Sequence, residues 1–210
     1  MQQWQLEQQA LAGLERRYRA QLINSLSGFK SANLIGTIGA DGATNLAIVS
    51  SVVHLGADPP LLGYITRPRS VERHSVDNLE SSGVFTLSQV GRGFFPQAHQ
   101  TSARYPRGVC EFAATGLTPE YWSGSPAPAV AESPLAIWLR LEQLLPIAAN
   151  NTQLVVGRIE RLRVLGGAPE ADGYLDIEAL GTVAVSGLDS YHCSQRLARL
   201  PYAKVPAASD

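Results

Sequence analysis

The chain has 210 residues, 45% of them apolar and 17% charged, with a formal net charge of −1. That length suits one domain with a sizeable core, and near-neutrality gives no reason to expect a nucleic-acid or acidic-membrane partner. Two cysteines, Cys110 and Cys193, are too few and too far apart for a disulfide scaffold or a metal site, and no apolar run reaches membrane-spanning length.

The polar N-terminus, MQQWQLEQQ, carries no secretory signal, so a cytoplasmic location is expected. Residues 4–23 read as an amphipathic helix, with Leu11, Leu14, Tyr18 and Leu22 recurring at spacings of three and four. This helix should pack, as a unit of residues 1–27, on the body of the domain. Residues 31–38 and 44–54 read as two strands joined across Gly39-Ala40-Asp41-Gly42, where Asp-Gly marks a hairpin. Asp58-Pro59-Pro60 is a breaker, and residues 61–66 form a further strand. Residues 70–81 look helical, and Gly83 stops them. Residues 84–90 are a strand, and 91–103 a loop leading into a short helical piece. Residues 120–134 hold three prolines among small residues and read as a long excursion over the surface. In 135–145, Ile137, Leu139 and Leu141 alternate with Trp138, Arg140 and Glu142, which favours a strand over a helix. Residues 154–165 are another strand, 172–180 a turn plus a short helix, and 201–210 a flexible tail. Six or seven strands with short connections predict a mainly β, antiparallel, closed or partly closed barrel. The low charged fraction suggests surface that an oligomer buries.

Residues 45–78 carry the chemistry. Asn45, Ala47, Val49 and Ser51 share one face of a strand, and Leu46, Ile48 and Ser50 the other. Ala47, Ser50 and Ser51 leave the backbone open to close approach. Arg67 comes directly after the next strand and stands beside a helix start. Hydroxyls, a guanidinium and a helix N-terminus within one strand–strand–helix unit read as an anion site suited to a phosphate. The plain alternative is edge-strand serines and a solvated arginine, and no glycine-rich phosphate loop is present. His54, His74, His99 and His192 share no metal-ligand spacing. His54 suits either a core or a pocket. His99 lies in the irregular, hydroxyl-rich AHQTSARY segment and is the active-site candidate, whereas Tyr191-His192 reads as interface or packing. No Gly-x-Ser-x-Gly elbow and no complete dinucleotide fingerprint occurs, which disfavours a serine hydrolase and a nucleotide-fold dehydrogenase.

Several blocks resemble the flavin reductase-like family: NLIGT at 33–37, NLAIVSSVVHLGADPPLLGYITRP at 45–68 and HSVDNLESSGVFTL at 74–87. Shorter, more distant pieces lie at 98–105, 111–119, 154–162 and 187–192. The resemblance implies an FMN-binding split β-barrel over residues 28–200, with six to seven antiparallel strands, an N-terminal helix and a few short helices. It implies FMN held noncovalently at or near a homodimer interface, taking hydride from NADH or NADPH and passing electrons to flavin or another acceptor. The flavin carries that chemistry. Carried over by position, Asn45, Leu46 and Ala47 line the flavin, and Ser50 and Ser51 bond its ribityl chain or phosphate. Arg67, Ser70, Ser75 and Asn78 surround the phosphate, with Asn33 contributing from the neighbouring strand. His99 approaches the exposed side of the flavin. Two family features are missing: a Gly-Asp-His is replaced by Asn150-Asn151-Thr152, and a cysteine near Leu141-Glu142 is absent. In this the chain is more similar to the flavoredoxin-like branch. The alternative to an NAD(P)H-dependent flavin oxidoreductase is therefore an FMN electron carrier serving a redox protein partner.

Overall fold

A seven-stranded antiparallel sheet organises the chain in the computed structural model, which describes residues 3–68, 74–106 and 108–205. Helices α1 (Gln8–Gly13) and α2 (Arg16–Leu26) come first. Then come β1 (Lys30–Ser31), β2 (Asn33–Ile38), β3 (Thr44–Val49), β4 (Val53–Ala57), β5 (Pro60–Thr66), α3 (His74–Ser82) and β6 (Val84–Gln89). The second half holds α4 (Phe95–Gln100), α5 (Glu111–Thr115), β7 (Pro119–Trp122), β8 (Ser125–Val130), β9 (Leu135–Ile147), β10 (Thr152–Val164), β11 (Ala184–Ser186) and β12 (Ser190–His192).

The main sheet has the order β3-β2-β6-β9-β10-β5-β4. Its two edges, β3 and β4, are consecutive in the chain, and only residues 50–52 separate them. The sheet wraps one core, in which Ile35, Tyr64, Phe85, Leu87, Ile137, Leu139 and Val155 come from five of its strands. Leu79 of α3 joins this core. The result is a barrel with a seam between β3 and β4. A second core lies on the outer side of β2 and β3, where Leu34 and Leu46 meet Phe94, Ala98, Phe112 and Val185. A small sheet, β1-β11-β12, flanks it.

The predicted strands at 31–38, 61–66, 84–90, 135–145 and 154–165 all form, as does the Asp41-Gly42 hairpin, with Gly42 at φ 80° and Asp41 Oδ1 accepting the Ala43 N–H. Gly83, at φ 68°, ends α3. Four expectations are corrected. The helix at 4–23 is two helices, because Glu15 caps a second start: its carboxylate accepts the N–H groups of Arg17 and Tyr18. Neither helix buries a residue, and α2 meets the rest of the protein lightly, with Gln21 donating to Asp189 (3.1 Å). The strand at 44–54 stops at Val49, where the chain turns to begin β4. The segment 120–134 does not run over the surface. It forms the β7–β8 hairpin, and β8 lies buried on β2 and β6. Small residues let it lie flat, and Pro126 and Pro128 offer no N–H that burial would orphan. Thr86 Oγ1 donates to Pro128 O (2.7 Å), and the Arg163 guanidinium donates to the carbonyls of Val130 (3.0 Å) and Ser133 (2.9 Å). Finally, residues 172–180 form turns without a helix. Residues 201–205 are exposed and irregular. Among the described residues no helix is long and apolar enough to cross a membrane.

Candidate functional site

The seam opens into a cavity of about 740 Å³. One wall is β3 and the residues after it, contributing Asn45, Ala47, Ser50 and Ser51. The end of β5 supplies Tyr64, Thr66 and Arg67, and α3 supplies Ser75. The opposite wall holds His99 and Arg104, with Leu188 and Tyr191 from the β11–β12 hairpin. The structure thus gathers seven of the eleven carried-over residues: Asn45, Ala47, Ser50, Ser51, Arg67, Ser75 and His99.

Their roles differ. Ser51 Oγ donates to the Ile65 carbonyl and accepts the Ile65 N–H, both at 3.1 Å. It pairs with β5 as a backbone would and stitches the chain across the seam. Ser50 is half-buried, and its hydroxyl has no hydrogen-bond partner among the described residues, which leaves it open to a ligand. Arg67 is exposed and has no ion-pair partner among the described residues. With its amide turned to satisfy both ends, Asn45 donates to Glu111 Oε1 (3.2 Å) and accepts the Ser75 hydroxyl (2.8 Å). Glu111 Oε2 also accepts the Leu46 N–H (3.0 Å). This buried carboxylate fixes α5 against β3 beneath the cavity.

Three carried-over residues lie off the cavity. Leu46 points into the outer core, as the period of two along β3 requires. Asn33 is buried and donates to Ser31 Oγ (2.9 Å). Asn78 donates to Thr37 Oγ1 (3.1 Å) and so ties α3 to β2. Ser70, and with it the expected helix start, lies outside the described residues. His54 is exposed on edge strand β4, away from the cavity.

His99 ends α4, and its Nδ1 sits 3.0 Å from the Tyr191 hydroxyl. The rings meet edge to face, and Phe95 packs on Tyr191 at 5.3 Å. Burial, and then the nearby Asp189 carboxylate, push the Tyr191 phenol above its ordinary range. The donor and acceptor in the His99–Tyr191 contact are set by the His99 tautomer. Burial likewise raises the Tyr64 phenol.

The sequence assigns no role to Glu111, and Tyr191, read there as interface or packing, lines the cavity. Glu111 had one signal, an acid opening an otherwise apolar helix. The Tyr191 contact with His99 had no local signal, because the two lie 92 positions apart. Among the described residues no three His, Cys, Asp or Glu side chains cluster to hold a metal ion. The cavity offers Arg67 and hydroxyls on one wall, Arg104 on the other, and small or apolar surface besides. It can hold an elongated anionic ligand, and among the described residues it contains no nucleophile paired with a base.

A seven-stranded antiparallel barrel, open along one seam and flanked by short helices, is a split barrel. The chain belongs to the flavin reductase-like family: residues 26–179 match the flavin reductase like domain. It superposes on a candidate flavin reductase with a split barrel domain from Shewanella frigidimarina NCIMB 400 with a TM-score of 0.92. Identity there is 50%, over 96% of this chain and 100% of that one. Nitrilotriacetate monooxygenase component B from Bacillus cereus shares the fold at a TM-score of 0.83 and 18% identity, over 95% and 100% of the two chains. Flavoredoxin of Desulfovibrio vulgaris (Miyazaki F) does so at 0.71 and 21%, over 84% and 92%. Uncharacterized proteins of Aquifex aeolicus and Deinococcus radiodurans are 27% and 29% identical, over 54% and 64% of this chain. The matches span 59% and 57% of those relatives' lengths.

Proposed function

We propose that this protein binds FMN in the seam cavity and acts as a flavin oxidoreductase that takes hydride from NADH or NADPH. The carrying observation is the Arg67 guanidinium, without an ion-pair partner among the described residues, at the same cavity as the free Ser50 hydroxyl and the small Ala47. The donor set fits the cofactor: Thr66 lines the cavity, and its Oγ1 has no partner among the described residues. Arg67 would hold the phosphate and Ser50 the ribityl hydroxyls, while Ala47 leaves room for the ring. Bound FMN supplies the two-electron chemistry. The chain's own work is to orient, to exclude water and to present the His99 imidazole as a hydrogen-bonding group. The same reading makes the protein a homodimer with the cavity at or near the interface, and places it in the cytoplasm with the nicotinamide coenzymes.

An FMN electron carrier serving a protein partner is the second reading. It draws support from the Asn150–Thr152 turn: Thr152 lines the cavity where the family's histidine is missing. One experiment addresses both readings. The purified protein should show flavin bands near roughly 375 and 450 nm, and anaerobic NADH or NADPH should bleach them. A colourless protein that takes up no added FMN refutes both. Bands that neither coenzyme bleaches leave the carrier.

A further inference from the structure

We infer that Glu111 is a positioning residue that sets the hydrogen-bonding polarity of one cavity wall, so that Ser75 takes a hydroxyl of the bound ligand and not its phosphate. The inference rests on the FMN reading above and deepens it at one point. Glu111 opens α5, is 7% exposed and lines the cavity. A carboxylate can only accept hydrogen bonds. Here both of its oxygens do: Oε2 takes the Leu46 N–H (3.0 Å) and Oε1 an Asn45 amide N–H (3.2 Å). An amide has one donor end and one acceptor end. With its donor end held by Glu111, Asn45 turns its carbonyl to Ser75, whose hydroxyl donates to it at 2.8 Å. The same oxygen accepts the Leu46 N–H at 3.1 Å. Asn45 is also 7% exposed, so a ligand has little room to turn the amide over.

A serine hydroxyl has one proton and two lone pairs. Ser75 spends its proton on Asn45 and leaves its lone pairs to the cavity that it lines. A phosphate ester at neutral pH is almost wholly an acceptor, so it gains nothing there. A polyol hydroxyl can donate to Ser75 and does gain. The charge points the same way. Glu111 sets a negative charge under this wall, whereas Arg67 offers a positive one after β5. A phosphate is repelled by the first and drawn to the second. The phosphate of FMN would therefore go to Arg67, and a hydroxyl of its ribityl chain would donate to Ser75. This moves Ser75 out of the phosphate contacts, where its position in the sequence had put it.

The test is titration of the full chain with FMN and with riboflavin, which has the ribityl hydroxyls and no phosphate. Ser75→Ala should weaken both by the same factor, about three- to tenfold, the value of one hydrogen bond. A loss for FMN alone would put Ser75 on the phosphate and overturn the inference, as would no loss for either. Glu111→Gln tests the relay. An amide at this position can meet Asn45 with either end, so Asn45 can turn and the Ser75 proton can face the cavity. The preference for FMN over riboflavin should then rise at least about threefold. A mere packing defect weakens both flavins alike, and an unchanged preference overturns the relay. In the Ser75→Ala background Glu111→Gln should move the preference less, and an equal move would make Glu111 a charge and not a relay. Should Glu111→Gln misfold, Ser75→Ala still decides, because it leaves the contacts of α5 in place. Wild-type protein that takes up neither flavin overturns the FMN reading and this inference with it, whereas wild-type binding with either failed variant result overturns this inference alone.

Discussion

Arg67 comes directly after β5 and lines the cavity, with no carboxylate among the described residues to neutralise it, so a ligand phosphate would find a full guanidinium. A charge-assisted contact of that kind is worth about 1.5–3 kcal/mol. Arg67→Glu should therefore weaken FMN binding at least about tenfold by titration, and an unchanged affinity in a folded variant removes the role. His99 acts at the other wall. His99→Ala should keep FMN bound and slow its anaerobic reduction by NAD(P)H about tenfold, the value of one lost hydrogen bond. A wild-type rate in stopped flow would make His99 a packing residue. At this scale the site was partly legible. Asn45 and Ala47 could be read from alternation along a strand, and Ser50 and Arg67 from their residue type and their place just after β3 and β5, all of which are local signals. Alternation also turns Leu46 to the far side, so a run of adjacent residues was bound to include one that does not face the cavity. Asn33 and Asn78 are polar and buried, but they spend their amides on Ser31 and Thr37, pairings that only the fold reveals. Glu111 was out of reach because its partners, Asn45 and Leu46, lie 65 positions or more upstream.

The β7–β8 hairpin shows the limit at the scale of elements. Proline and small residues are turn and loop signals. Here they build a strand that lies flat across another layer, a use that depends on what the strand meets. Gly36 of β2 is the complementary feature, for a Cβ there would fall 1.9 Å from the Pro128 carbonyl and 2.6 Å from Thr86 Oγ1. The carbonyl is backbone and already accepts the Thr86 hydroxyl, so it has little freedom to yield. Gly36→Ala should destabilise by about 3 kcal/mol, a fall in Tm of roughly 6–12 °C for a chain of this size. A variant melting within a degree or two of wild type would show that the hairpin yields freely. The strands of the main sheet were legible, even β9, because Ile137 and Leu139 face the barrel core while Ala136 and Trp138 face Ala129. Burial on both sides is also what made β9 resemble a helix. The break between α1 and α2 was missed because a glutamate rarely caps a helix.

At the scale of the whole molecule, the irregular C-terminal arm of residues 193–205 is tethered by Arg196, which pairs with Asp176, and by Arg199, which pairs with Glu170 and Asp172, and this tether makes a pH dependence. The Asp172 carboxyl is held low by the Tyr174 N–H and then by Arg199, and the Asp176 carboxyl by the Ala179 N–H and then by the Arg196 charge. Their folded values lie below their unfolded ones. The tether is therefore intact above the ordinary carboxylate range and is lost as pH falls through the depressed values. A dye on Cys193, in a Cys110→Ser background, should hold its anisotropy from neutral pH to about 4 and lose it below. A flat anisotropy through that range would show that the aspartates do not hold the arm. The seam has a different consequence. Because β3 and β4 are joined by three residues and stitched through Ser51, a molecule lodged there completes a ring that the backbone leaves open. Ligand binding and closure are then one equilibrium. FMN at a hundred times its dissociation constant should add about 2.7 kcal/mol to stability. The amides that slow their hydrogen exchange should be those of residues 44–57, on either side of the gap. Those of β9 and β10, already paired on both edges, should exchange as before.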